Sequence, residues 1–78
     1  MSTKHLIGII GVGYVGLPLT LAFAKKDKVI AYDQNNEKIN NLTIGIDNNK
    51  IFSKNEILNS KVNFTNKSKH LKDCNVYI

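Results

Sequence analysis

Gly11, Gly13 and Gly16 stand at G-x-G-x-x-G spacing directly after the apolar run Leu6-Ile7-Gly8-Ile9-Ile10. Between a strand and a helix, that spacing can cradle the pyrophosphate of a dinucleotide. Gly11 allows a tight bend out of the strand. Gly13 has no Cβ, so a phosphate can approach the main chain. Gly16 lets the following helix pack closely on the strand. The N–H groups at the helix start, and the helix dipole behind them, favour negative charge there. The same three glycines also fit a plain strand–turn–helix with no ligand, so the pattern needs a second element.

Asp33 is that element. It ends the short apolar run Lys28-Val29-Ile30-Ala31-Tyr32 and lies 22 residues after Gly11, close to the roughly 20 at which an acidic residue meets the ribose hydroxyls of a bound dinucleotide. Its charge would repel a 2′-phosphate, and the eleven basic residues are all lysines, with no arginine to receive one. The pair of signals therefore predicts NAD rather than NADP. Taken alone, Asp33 would more readily be read as an N-cap or turn residue ahead of Asn35-Asn36-Glu37-Lys38.

The elements that must position these residues alternate strand and helix. Strands are predicted at Leu6–Ile10, Lys28–Tyr32 and Val62–Phe64, with a last one opening near Asn75. A helix from Tyr14 to Lys26 carries Val15, Leu17, Leu19, Leu21, Ala22, Phe23 and Ala24, apolar on most sides as for a helix packed on a sheet, with Pro18 near its first turn where a missing N–H costs least. A second helix is predicted over Asn36–Ile44, with Ile39, Leu42 and Ile46 facing inward and Gly45 as its C-cap. Asp47–Phe52 reads as a loop. Ser53-Lys54-Asn55-Glu56 has the capping-box spacing that opens a short helix, and Ser68–Lys72 reads as a helical turn. This rhythm implies an α/β fold, a Rossmann-type doubly wound parallel sheet. Seventy-eight residues supply about half of such a sheet. The expected organisation is thus the N-terminal part of a dinucleotide-binding domain, with catalytic and substrate domains outside residues 1–78.

Composition narrows the class. No apolar run approaches the roughly 18 residues of a membrane span. Met1-Ser2-Thr3-Lys4-His5 has no signal-peptide layout. The single cysteine, Cys74, forms no internal disulfide, which fits a reducing, cytoplasmic setting. The net charge of +5 comes from scattered lysines, the densest cluster being Lys25-Lys26-Asp27-Lys28 without interleaved aromatics, so no nucleic-acid or membrane partner is expected. Cys74 has no general base near it in sequence and reads as a buried structural thiol. His5 and His70 lack metal-ligand spacing and read as solvated. Tyr14 is expected to bury its side chain.

The stretch Ile7-Gly8-Ile9-Ile10-Gly11-Val12-Gly13-Tyr14-Val15-Gly16-Leu17-Pro18-Leu19 resembles the opening of the UDP-glucose/GDP-mannose dehydrogenase family, and its Gly-Tyr-Val-Gly-Leu-Pro core is far more specific than the bare glycines. Tyr32-Asp33, Lys38-Ile39, Gly45-Ile46-Asp47 and Asp73-Cys74-Asn75-Val76-Tyr77-Ile78 extend the resemblance over nearly the whole chain. It is greatest with the branch acting on UDP-N-acetylglucosamine and UDP-N-acetylgalactosamine, although Asn48-Asn49-Lys50-Ile51 lacks the threonine and glutamate of that branch. The resemblance implies an enzyme that oxidises the C6 alcohol of a UDP-sugar to a carboxylate in two NAD-dependent steps, through cysteine-bound intermediates, in polysaccharide precursor synthesis. It implies a homo-oligomer when full length, with the catalytic cysteine, its partners and most of the sugar-nucleotide site beyond residue 78. No catalytic residue is therefore expected in this chain. By the same resemblance, Tyr14 and Val15 offer backbone groups to the pyrophosphate, Asp33 takes the adenosine ribose, and Lys38 lies beside that ribose. An NAD-binding sensor module and another NAD-dependent hydroxyl dehydrogenase remain as alternatives at this point.

Overall fold

A computed structural model describes residues 5–78; the side chains of Tyr14 and Val15 fall outside the described set. Four strands form one sheet, β1 (Leu6–Ile10), β2 (Lys28–Tyr32), β3 (Asn63–Thr65) and β4 (Val76–Tyr77), in the spatial order β3-β2-β1-β4 with every pairing parallel. Leu6 pairs with Lys28 and Ile10 with Tyr32, so the ends of β1 and β2 that carry Gly11 and Asp33 finish level with one another. The expected α/β, Rossmann-type parallel sheet is present.

Alternation in the strands sorts the two faces. Ile7 and Ile9 of β1 and Val29 and Ala31 of β2 are buried in one cluster with Ile39, Leu42 and Ile57 from the helices. Phe23, Phe52, Val62 and Phe64 pack against that cluster. The other face is covered thinly by Leu71 and Cys74, and Ile10 and Tyr77 remain about half exposed.

The sequence predicts one helix over Tyr14–Lys26, but the chain makes two, α1 (Val12–Val15) and α2 (Leu17–Ala24). Gly16 divides them at φ 97° and ψ 143°. Its N–H donates to Val12 O at 2.9 Å and closes α1, while its carbonyl accepts from the Thr20 N–H at 3.2 Å and from Thr20 Oγ1 at 2.9 Å, which opens α2. That backbone region suits glycine and few other residues. The buried Thr20 hydroxyl is satisfied by the same carbonyl. Leu19, placed on an apolar helix by its sequence, is 44% exposed.

The second predicted helix appears as α3 (Asn36–Thr43), ended as expected at Gly45. The Gly45 N–H reaches Leu42 O at 3.1 Å and the Ile46 N–H reaches Asn41 O at 2.7 Å, the paired bonds of a left-handed helix stop. That stop redirects the chain and turns Ile46 outward to 45% exposure, against the inward position its spacing suggested. Ser53 and Glu56 form the predicted reciprocal cap at the start of α4 (Lys54–Asn59). β3 starts one residue later than predicted, at Asn63, after Lys61 adopts φ 62°. The predicted turn at Ser68–Lys72 is a 3₁₀ helix over Ser68–Leu71.

Candidate dinucleotide site

The site is built where β1 and β2 end side by side. The Gly11 N–H donates to Tyr32 O at 2.8 Å, which carries the strand ladder one step into the turn. Gly11 then adopts φ 77° and ψ 67°, and α1 begins at once. This is the tight bend the sequence requires of Gly11.

Asp33 meets that turn directly. Its Oδ2 accepts the Gly13 N–H at 3.0 Å, and its Oδ1 accepts the Asn35 N–H at 3.0 Å. Its own N–H donates to Thr65 O at 3.1 Å, so the residue is tied to β3 as well. The N-cap role open to Asp33 in the sequence belongs instead to Asn35, whose side chain accepts the Lys38 N–H at 3.1 Å.

Lys38 lies on the same side, in the first turn of α3. A Cβ at Gly13 would stand 3.2 Å from Asp33 Oδ2 and 3.2 Å from Lys38 Cε. Three of the sequence-predicted site residues therefore converge. The structure adds its own reason for a glycine at position 13, because a side chain there would crowd Asp33 and Lys38. At Gly16 the reason differs from the expected one. Among the described residues a Cβ there would meet only Pro18 Cδ, at 3.7 Å, so its requirement comes from its backbone angles and not from close helix–strand packing. The expected burial of the Tyr14 side chain lies outside the described residues; its main chain, with that of Val15, belongs to α1.

Beside the turn is a small cleft of about 50 Å³, bounded by Gly13, Gly16 and Leu17 on one side, Lys38 and Leu42 on another, and Asp47-Asn48-Asn49 on the third. Asp47 holds this loop in shape, accepting N–H groups from Asn49, Ile51 and Phe52 at 3.0, 3.0 and 3.1 Å. A much larger open concavity of about 1280 Å³ lies at the opposite ends of the strands, near His5, Lys28 and Phe52. Among the described residues no glycine-turn residue lines it, and ligands of parallel α/β sheets bind beyond the carboxyl ends of the strands.

The residues outside the turn follow their sequence readings in part. Cys74 is buried, and desolvation, then the neighbouring Asp73 charge, push its thiol above the ordinary value. This makes it a poor nucleophile. His5 is exposed. His70 is also exposed, yet its Nδ1 is hydrogen-bonded to the buried Thr65 Oγ1 at 2.6 Å, so it fastens the 3₁₀ turn to β3 and is not merely solvated. Among the described residues no group of three or more His, Cys, Asp or Glu side chains could hold a metal. Also among them, no helix is long and apolar enough to cross a membrane.

Gly8 was invisible as a requirement in the sequence. A Cβ there would stand 3.1 Å from Cys74 Sγ, Leu71 Cδ2 and Tyr77 Cδ1. It lets the segment before β4 lie flat on β1. Only its position inside an apolar strand hinted at a close approach.

The arrangement suits a dinucleotide. The Asp33 carboxylate is fixed at the mouth of the turn, and each of its oxygens takes one backbone N–H and keeps lone-pair capacity for a ribose hydroxyl.

The chain is 40% identical over 73 residues to a UDP-N-acetyl-D-glucosamine 6-dehydrogenase of Salmonella typhi and 38% identical over 73 residues to one of Pseudomonas aeruginosa, each alignment covering 92% of this chain. It spans 17% of the length of these relatives. A solved structure of a UDP-D-ManNAc dehydrogenase from Pyrococcus horikoshii superposes with a TM-score of 0.74 at 30% identity, over 92% of this chain and 19% of that one. Residues 5–78 match the NAD-binding domain of the UDP-glucose/GDP-mannose dehydrogenases. A left-handed glycine bend, a carboxylate seated on it and a family match over almost every residue leave one conclusion: the chain belongs to the UDP-glucose/GDP-mannose dehydrogenase family and forms NAD-binding sequence within it.

Proposed function

We propose that the protein carrying this chain is a nucleotide-sugar 6-dehydrogenase acting on a UDP-N-acetylhexosamine. It oxidises the C6 alcohol to a carboxylate in two NAD-dependent steps. The observation that supports this most is the Asp33 carboxylate held against the glycine turn, in a chain whose relatives of 38–40% identity act on UDP-N-acetyl-D-glucosamine.

Within that reading the roles divide by chemistry. Gly11, Gly13, Gly16 and the main chain of Tyr14 and Val15 shape the turn that takes the pyrophosphate. Asp33 accepts the adenosine ribose hydroxyls, and Lys38 packs beside that ribose. NAD, when bound, supplies the hydride acceptor. The catalytic groups and most of the sugar-nucleotide contacts come from regions other than residues 1–78. The full-length enzyme works in the cytoplasm as a homo-oligomer in polysaccharide precursor synthesis, without a nucleic-acid or membrane partner.

Stoichiometry tests this. The protein carrying the chain should reduce two NAD for each UDP-N-acetylhexosamine consumed and release a uronate. One NAD per substrate, or no turnover with any UDP-sugar while NAD still binds, would overturn it.

A further inference from the structure

Asp33 is tied to more of the molecule than reading a ribose requires. One carboxylate oxygen holds the Gly13 N–H in the first turn of α1, and the other holds the Asn35 N–H just before α3. The two bonds bridge the loops that leave β1 and β2. The main chain beneath is itself fastened, through the Asp33 N–H to Thr65 O and through the Gly11 N–H to Tyr32 O. Asp33 Oδ2 and Lys38 Cε close over the side-chain position of Gly13, each 3.2 Å from where a Cβ would stand.

We propose that Asp33 is also the positioning residue of the glycine turn: the carboxylate that reads the adenosine ribose sets the main chain that receives the pyrophosphate. The inference rests on the NAD site described above. Gly13 lies in the first turn of a four-residue helix, where N–H groups have no partner within the helix. Asp33 supplies that partner from the next strand. Ribose recognition and turn geometry are then one interaction.

The two roles give opposite signs when the charge is removed. A carboxylate near the pyrophosphate repels it, so its loss alone favours a ligand that makes no ribose contact. Loss of the Gly13 anchor disfavours the same ligand. The decisive pair of ligands is therefore NAD and its analogue with no hydroxyls on the adenosine ribose, titrated against the protein carrying this chain and its Asp33→Ala variant. Turn positioning predicts that the variant loses about fivefold or more in affinity for the analogue as well as for NAD. An analogue affinity that is unchanged or improved overturns the inference.

Amide exchange gives a second reading without any ligand. The Gly13 amide should exchange about tenfold faster or more in Asp33→Ala, with the Ile9 and Val29 amides of the sheet unchanged. Asp33→Asn, whose amide oxygen can still accept the Gly13 N–H, should keep most of the protection. Unchanged Gly13 exchange in Asp33→Ala overturns the inference. Failure of the unmodified protein to bind NAD would instead sink the cofactor reading, and the exchange result would still decide whether Asp33 holds the turn.

Discussion

Gly8 lies directly beneath the thiol of Cys74, so close that a methyl group on its α-carbon would stand 3.1 Å from Sγ. Leu71 and Tyr77 crowd the same point, and the Tyr77 hydroxyl donates to Leu71 O at 2.7 Å to close the packet. A valine at position 8 overfills it and should cost about 1–3 kcal/mol of stability. The check is the urea midpoint of Gly8→Val at unchanged slope. A midpoint equal to that of the unmodified chain would mean that the segment before β4 moves away freely.

Cys74 carries a pH signature. Burial first, and Asp73 second, hold its folded pKa above the ordinary 9.0. The folded state then binds the thiol proton more tightly than the unfolded state. Its contribution to stability is complete below the unfolded pKa and is lost as pH rises through the folded one. The unmodified chain should therefore lose stability above about pH 9 more steeply than Cys74→Ala, measured by denaturant titration at pH 7 and pH 10. Parallel losses in the two proteins would contradict the assignment.

Gly45 combines a positive φ of 86° with a site where a Cβ would meet Lys54 Cγ at 2.7 Å and Leu58 Cγ at 3.1 Å. Backbone strain and crowding act together, and the Lys54 carbonyl at 3.3 Å limits the room for relaxation. Gly45→Ala should lower stability by about 1–3 kcal/mol. The exposed Ile46→Ala, next in sequence, should change it by less than about 0.5 kcal/mol. Comparing the two thermal midpoints checks the local origin of the effect.

The Ser53–Glu56 cap joins the loop fastened by Asp47 to α4. Ser53→Ala removes the acceptor for the Glu56 N–H and should cost about 1 kcal/mol. Ser53→Asp, which keeps an acceptor, should recover most of that loss in the same denaturation experiment.

Cofactor choice rests on charge. In the proposed site Asp33 would face the extra phosphate of NADP, and the chain has no arginine to offset the repulsion. NAD should bind at least about tenfold more tightly than NADP, a difference of roughly 1.4 kcal/mol. Asp33→Ser should narrow the ratio mainly by weakening NAD. Equal affinities in the unmodified protein would refute this.

Legibility in the sequence followed the range of the interactions. β1 and β2, the cap at Ser53 and the stop at Gly45 depend on neighbours a few residues away, and their residue types announced them. Asp33 at its distance from Gly11 pointed to the turn against which the structure places it. The break at Gly16 was hidden because Val15, Leu17 and Leu19 continue an apolar run across it, while the break itself depends on backbone angles that apolarity does not report. Ile46 was misplaced because helical periodicity was carried past Gly45, where the helix has ended. The needs of Gly8 and Gly13 come from residues that are distant in sequence: Leu71, Cys74 and Tyr77 for one, Asp33 and Lys38 for the other. Spacing along the chain cannot name such partners until the sheet has brought them together.

The pairing of Ile7 with Val76 gives this fold an order in time. β1 leaves the ribosome early and finds β2 within about thirty residues, but its other edge stays unpaired until β4 has been made. Closing a loop of that length costs little more free energy than closing a shorter one, since the penalty rises only with the logarithm of length. The delay lies in synthesis and search, where distant parallel pairings are slow. During that interval the apolar edge of β1 is open to other chains, and the contacts that seal Gly8 beneath Cys74 cannot form until Leu71, Cys74 and Tyr77 have been made.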